Sequence, residues 1–307
     1  MKDKCNREIK HIRFSVTSEC NYSCIYCDKE GYLPKKEELG VEEITKLCYL
    51  LAKILNVKRI KFTGGEPLCR KEIIQIIKKV YDLHLYDDIS ITTNGYLLFE
   101  KAEELYKAGC NRVNVSLCSL KPSVYKKITG FNNLNKVLKG LKKAKKVGLN
   151  PIKLNFVVIK GVNDNEIEDM INFCSKTGYV LQLIELHNFS EAVGKSKEIY
   201  DKYYINIQNV VEDIKSKAVK YVQRNDMQNR GVFTLPNNAV VEAIHPNHDF
   251  CMGCTKLRVS SDGNLFGCLY GSALGENIKE ALLSPYPLSE YEEIIKKVVN
   301  SKEPYFK

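Results

Sequence analysis

Residues 18–32 read SECNYSCIYCDKEGY and hold Cys20, Cys24 and Cys27 in a C-x3-C-x2-C spacing, with no fourth cysteine close by. Structural zinc is almost always closed by four ligands, so a set of three thiols poses a question of chemistry. The stretch also decides the fold, because of where it falls. It follows the β-rich run IRFSV (12–16) and precedes VEEITKLCYLLAKIL (41–55), whose apolar residues Ile44, Leu47, Cys48, Leu51, Ile54 and Leu55 recur at helical steps. The cysteines therefore occupy a strand-to-helix loop.

Outward from that loop the same alternation repeats. IKFTG (60–64), ISITTN (89–94), RVNVSL (112–117), KLNFVVI (153–159) and VLQLIEL (180–186) read as further strands, rich in Ile, Val, Phe and Thr. Helical patterns lie between them, among them NLNKVLKGLKKAKKVG, which Gly148 is placed to end as a C-cap. Repeated βα units imply a parallel sheet under helices, and six of them imply a complete or incomplete barrel with its site at the C-terminal strand ends. TGGEP (63–67), TTNG (92–95) and SLCSL (116–120) follow successive strands and so converge with the cysteines on one rim.

From about residue 187 the alternation fails. IQNVVEDIKSKAVKYV reads as one helix, and the later segment CMGCTKLRVSSDGNLFGCLYG carries a second set of three thiols, Cys251, Cys254 and Cys268. We divide the chain into a barrel region, 1–215, and a C-terminal region, 216–307. His245, His248, Cys251 and Cys254 offer a zinc alternative at three-residue spacing. Twelve cysteines in a chain with no apolar leader and no run approaching the ~20 apolar residues of a membrane span suggest a cytoplasmic protein that uses thiols as ligands. The net charge of +10 is spread along helix faces without interleaved aromatics, so nucleic acid is not expected, whereas a small polyanionic substrate is compatible.

An iron–sulfur cube held by three cysteines leaves one iron open to a small molecule. C-x3-C-x2-C resembles the signature of radical S-adenosylmethionine enzymes, and GGEP (Gly64 to Pro67) resembles their second element. The likeness extends, in order, through TTNGYLL, AGCNRVNVSLCSL, KLNFVVIKGVNDNEI and FCMGCTKLRVSSDGNLFGCLYG, over roughly residues 4–290. On these motifs the chain resembles the GTP 3′,8-cyclase family of molybdenum- or tungsten-cofactor biosynthesis.

That resemblance implies an α/β fold, an incomplete (βα)6 TIM-like barrel with a C-terminal iron–sulfur extension closing the opposite mouth. It implies two 4Fe–4S clusters, on Cys20, Cys24 and Cys27 and on Cys251, Cys254 and Cys268, the second binding guanine. Tyr26, Gly65 and Ser116 would contact S-adenosylmethionine; Arg13, Lys61, Thr92, Lys153, Lys256 and Arg258 would hold GTP. An adenosyl radical would take the ribose 3′ hydrogen, and C3′ would then bond to C8 of guanine. An electron donor of ferredoxin or flavodoxin type and a downstream cyclic pyranopterin monophosphate synthase would be partners.

The chain departs from the family pattern in places. Gln182 and Lys256 stand where arginines are common, Cys118 where an aspartate is usual, and His187 where a methionine is frequent. The sequence ends SKEPYFK where many members carry Gly-Gly. A sibling radical enzyme acting on another nucleotide or a peptide is the alternative function, and a zinc-bearing binding protein the non-enzymatic one.

Overall fold

Period-two alternation in the first strand sets two faces at once. In β1 (His11–Ser15) Ile12 and Phe14 join the buried core, while His11 and Arg13 turn toward an interior cavity. The computed structural model describes residues 1–33, 37–187, 196–269, 275–284 and 286–304. β2 (Arg59–Thr63), β3 (Asp88–Thr93), β4 (Arg112–Ser116), β5 (Ile152–Val158) and β6 (Val180–Glu185) follow in spatial sequence, each parallel to the last. Each lies within one residue of its expected position.

Six helices cover the outer face: α1 (Val41–Leu55), α2 (Ile73–Asp82), α3 (Leu98–Lys107), α4 (Pro122–Thr129), α5 (Leu134–Val147) and α6 (Ile167–Thr177). α1 buries Ile44, Leu47, Cys48, Leu51 and Leu55 and begins with the Glu43 carboxylate accepting the Gly40 N–H at 2.5 Å. α5 stops as expected at Gly148, whose φ of 102° is open to glycine at little cost.

The C-terminal region adds strands to both edges of the same sheet. β7 (Lys220–Arg224) and β8 (Arg230–Thr234) form an antiparallel hairpin beside β9 (Val240–Ile244), which runs parallel to β6. At the other edge β10 (Lys256–Val259) runs parallel to β1 and is flanked by β11 (Asn264–Phe266) and β12 (Glu276–Asn277). The barrel is therefore open, its two ends extended rather than joined.

The helix expected over IQNVVEDIKSKAVKYV is shorter than its pattern suggests. It spans Gln208–Lys217; the backbone turns extended at Ala218, and the Val219 N–H bonds to the Thr234 carbonyl at 2.8 Å. Strand pairing with β8 claims Tyr221 and Val222, residues that suit a pleated sheet. Among the described residues no helix is long and apolar enough to cross a membrane.

Candidate active site

The interior face of the sheet is polar. Alternate residues of successive strands line one cavity of about 330 Å3: His11 and Arg13, then Arg59, Lys61 and Thr63, then Ser90 and Thr92, then Arg112, Asn114 and Ser116. All six cysteines of the two sets line it as well. They do so from opposite ends. Cys20, Cys24 and Cys27 lie beyond the C-terminal end of β1. Cys254 precedes β10, whose Lys256 is level with His11 at the start of β1. A rise of ~3.3 Å per residue along β1 separates those levels by at least ~13 Å.

The first mouth is built by close backbone approach. A Cβ at Gly64, whose φ is 138°, would meet the Thr17 carbonyl oxygen at 2.2 Å, and one at Gly65 would meet the Glu19 oxygen at 2.2 Å. Glycine is thus required because the second loop packs on the loop that leads into Cys20, a role separate from the ligand approach that the motif suggested. Glu66 fastens the third loop: its buried carboxyl accepts from Thr93 Oγ1 at 2.7 Å and from the Asn94 N–H at 2.6 Å. Burial outweighs those donors and pushes its pKa up to about 7. Tyr26, Gly65 and Ser116 all line the cavity. Burial, reinforced by Cys27 and Cys20, raises the Cys24 thiol to about 12; burial and Asp28 raise Cys27 to about 11.

The second mouth has the opposite electrostatics. Burial alone would raise the Cys254 thiol, but the ammonium groups of Lys302 and Lys256 outweigh it and draw it down to about 7. Lys302 Nζ lies 3.9 Å from Cys254 Sγ and donates to the carbonyls of Lys256 and Gly267. Arg7 donates to the Cys251 carbonyl at 2.8 Å and to that of Glu303 at 2.7 Å, tying residues 302–304 to this mouth. In the zinc alternative His245 would join Cys251 and Cys254; instead its Nδ1 meets Glu185 Oε2 at 2.7 Å. Among the described residues no three His, Cys, Asp or Glu donors converge as a single-ion site requires. A cube makes no such demand, since each thiolate binds a different iron. The donor sets suit that group, as six reduced cysteines line the cavity and all twelve in the chain are free.

Between the mouths, Arg13, Lys61, Thr92, Lys256 and Arg258 face the common space. Thr92 Oγ1 is buried there without a hydrogen-bond partner, a polar atom suited to a ligand. Lys153 does not line the cavity with them: its ammonium is hydrogen-bonded to Glu242, which also accepts from Gln182 Nε2 at 2.6 Å. Glu30 was not anticipated. Its carboxylate takes Arg13 at 2.6 and 2.5 Å, Arg258 at 3.0 Å and Thr63 Oγ1 at 2.7 Å. Burial would raise its pKa, yet Arg13 and then Arg258 hold it at about 2.

Arg59, Arg112, Gln228, Arg230 and Lys302 also line the cavity and escaped the sequence reading. Arg59 and Arg112 were within reach of it, because they share strand parity with Lys61 and Ser116. Gln228, Arg230 and Lys302 carry no such signal, since they come from the region where alternation fails.

Known proteins match this chain along its length. The Radical SAM superfamily description fits residues 14–174, and Molybdenum Cofactor Synthesis C fits residues 179–307. A probable GTP 3′,8-cyclase of Methanocaldococcus jannaschii is 39% identical, with 100% of this chain and 99% of the relative covered. One from Thermococcus kodakarensis is 41% identical, with 99% of each covered. Among solved structures, Streptococcus suis SuiB bound to S-adenosylmethionine superposes with a TM-score of 0.66 at 17% identity, covering 98% of this chain and 76% of SuiB. The native anSMEcpe structure with bound AdoMet gives 0.59 at 17% identity, covering 92% and 82%. At that identity the likeness speaks to fold: a radical S-adenosylmethionine barrel.

Proposed function

The chain belongs to the radical S-adenosylmethionine superfamily and, within it, to the GTP 3′,8-cyclase family, and from that premise we propose how its own residues convert GTP to 3′,8-cyclo-7,8-dihydroguanosine 5′-triphosphate. This is the first step of molybdenum- or tungsten-cofactor biosynthesis. The observation that carries the reading is one cavity with three thiols at each mouth and cationic side chains between.

An iron–sulfur cluster and S-adenosylmethionine supply a carbon-centred radical when bound. We assign the cluster to Cys20, Cys24 and Cys27, and the cofactor's surroundings to Tyr26, Gly65 and Ser116. A second 4Fe–4S cluster is assigned to Cys251, Cys254 and Cys268. Arg13, Lys61, Thr92, Lys256 and Arg258 hold the nucleotide, their charge matching the phosphates. Lys153 contributes indirectly by fixing Glu242. A ferredoxin- or flavodoxin-type donor supplies the electron, a cyclic pyranopterin monophosphate synthase consumes the product, and the free thiols fit the cytoplasm.

The test is anaerobic reconstitution, followed by incubation with S-adenosylmethionine, reductant and each nucleoside triphosphate in turn. The expected outcome is a GTP-specific product isomeric with GTP. Cleavage of S-adenosylmethionine with no nucleotide product from any of the four would overturn the substrate assignment.

A further inference from the structure

The cations facing the cavity fall into two groups. Arg7 is paired with Asp3 at 2.6 Å, Arg59 with Asp226 at 2.5 Å, Arg112 with Asp88 at 2.6 Å, and Arg13 and Arg258 with Glu30. Lys61, Lys302, Lys256 and Arg230 differ: among the described residues none has a carboxylate within ion-pair distance. Lys61 donates to Asn114 Oδ1 at 2.9 Å and Lys302 to two backbone carbonyls, which leaves Lys256 and Arg230. Both donate instead to one neutral atom, Gln228 Oε1, Lys256 Nζ at 2.6 Å and Arg230 Nη2 at 2.5 Å. Arg230 is buried at 7% exposure, and its Nε has no hydrogen-bond partner.

This cluster is built rather than incidental. Gln228 has a φ of 60°, and its N–H bonds to the Gly253 carbonyl at 2.7 Å, between Cys251 and Cys254. The Phe250 ring lies 5.8 Å from the Arg230 guanidinium. Two like charges held on one amide oxygen in a buried pocket are costly until an anion joins them. An open guanidinium edge beside an ammonium suits phosphate oxygens. The register Gln182↔Glu242↔Val232 runs across β6, β9 and β8, with Arg230 two residues before Val232. Arg230 thereby carries a positive charge to the face where β6 presents the neutral Gln182.

We propose that Arg230, set beside Lys256 by Gln228, is a further phosphate-binding residue that gives this cavity its preference for polyphosphorylated nucleotides. The proposal rests on the GTP reading for its natural ligand, but inorganic tripolyphosphate probes the subsite without a base.

Anaerobically reconstituted parent, Arg230→Gln, Arg230→Lys and Gln228→Glu proteins are titrated calorimetrically with GTP, guanosine and tripolyphosphate. Arg230→Gln should weaken GTP and tripolyphosphate by roughly 10- to 100-fold and leave guanosine unchanged, with Arg230→Lys recovering part of the loss. Gln228→Glu, which puts a carboxylate between the cations, should weaken both anions at least as much. Iron content and the visible absorption of the reconstituted protein should stay at parent levels. Unchanged anion affinity in Arg230→Gln, or an equal loss for guanosine and GTP, overturns the proposal. If Arg230→Gln does not fold, parent-like anion binding by Gln228→Glu overturns it. Should the parent turn over no GTP yet bind tripolyphosphate in an Arg230-dependent way, the substrate reading fails and the phosphate subsite stands.

Discussion

The two cysteine sets are alike in number and opposite in surroundings. Cys24 and Cys27 sit where burial and neighbouring acidic groups keep thiols protonated, whereas Cys254 sits among Lys302, Lys256 and Arg258, which favour its thiolate. Metal ligation needs the thiolate. Cys24 and Cys27 must therefore lose their protons to incoming iron, while Cys254 is already poised to bind. The difference suits the proposed division of labour, in which one mouth manages a sulfonium cofactor and the other an anionic substrate.

The harshest way to break the comparison is to delete each set. Changing Cys20, Cys24 and Cys27 to Ala should abolish S-adenosylmethionine cleavage and halve iron from about eight to about four per chain. The same change at Cys251, Cys254 and Cys268 should halve iron too, yet leave uncoupled cleavage while removing nucleotide turnover. Iron assay and chromatography of 5′-deoxyadenosine decide; turnover of GTP after the second change would end the division of labour.

A gentler probe is alkylation of the iron-free protein at neutral pH, mapped by mass spectrometry. The Cys254 thiol is drawn down to about 7 while Cys24 is pushed up to about 12, so Cys254 holds by far the larger thiolate fraction at neutral pH. Cys254 should react far sooner, and Lys302→Met should slow it. Equal labelling of both sets would erase the electrostatic contrast.

Glu30 sharpens the comparison from the substrate side, because it neutralises Arg13 and Arg258 from the loop after Cys27. Arg258→Ala should weaken GTP roughly ten- to a hundredfold. Glu30→Gln should strengthen it several-fold by releasing both guanidinium groups. Calorimetric titration measures both, and weaker binding by Glu30→Gln would mean that the carboxylate positions the arginines for substrate.

The smallest effect concerns the β6–β9 edge. The hydrogen bond to Glu185 outweighs burial and raises the His245 pKa above 6.5. A raised folded pKa means that the folded state binds the proton more tightly. The stabilisation is therefore complete below pH 6.5 and is lost as pH rises through the folded value. Urea midpoints of the parent should decline across that window relative to His245→Gln, with iron content alike in both. A parallel pH dependence in the variant would remove the ion pair from the account, and a loss of iron would mean that His245 supports the nearby cluster.

Much of the first region was legible because local rules agree there. Apolar runs of period two alternate with helices of period 3.6, and a strand-end loop must carry whatever follows the strand. The same parity could have exposed Arg59 and Arg112. Lys153 shows the limit: its parity is correct, but the pairing with Glu242, 89 residues away, takes its charge out of the cavity. The 207–222 stretch shows another, since helix periodicity there yields to pairing with β8, which begins eight residues after the stretch ends, at Arg230.

By itself, the sequence determined the barrel strands, the covering helices, the two sets of three thiols and the resemblance to a family, because these depend on short-range patterns. Only the tertiary structure decided which cations are paired with carboxylates, and that Gln228, Arg230 and Lys302 line the cavity between the thiol sets. The physical reason is that electrostatic environment is set by neighbours in space. In an open barrel whose far C-terminal strands return to both edges, those neighbours lie up to 297 residues apart along the chain.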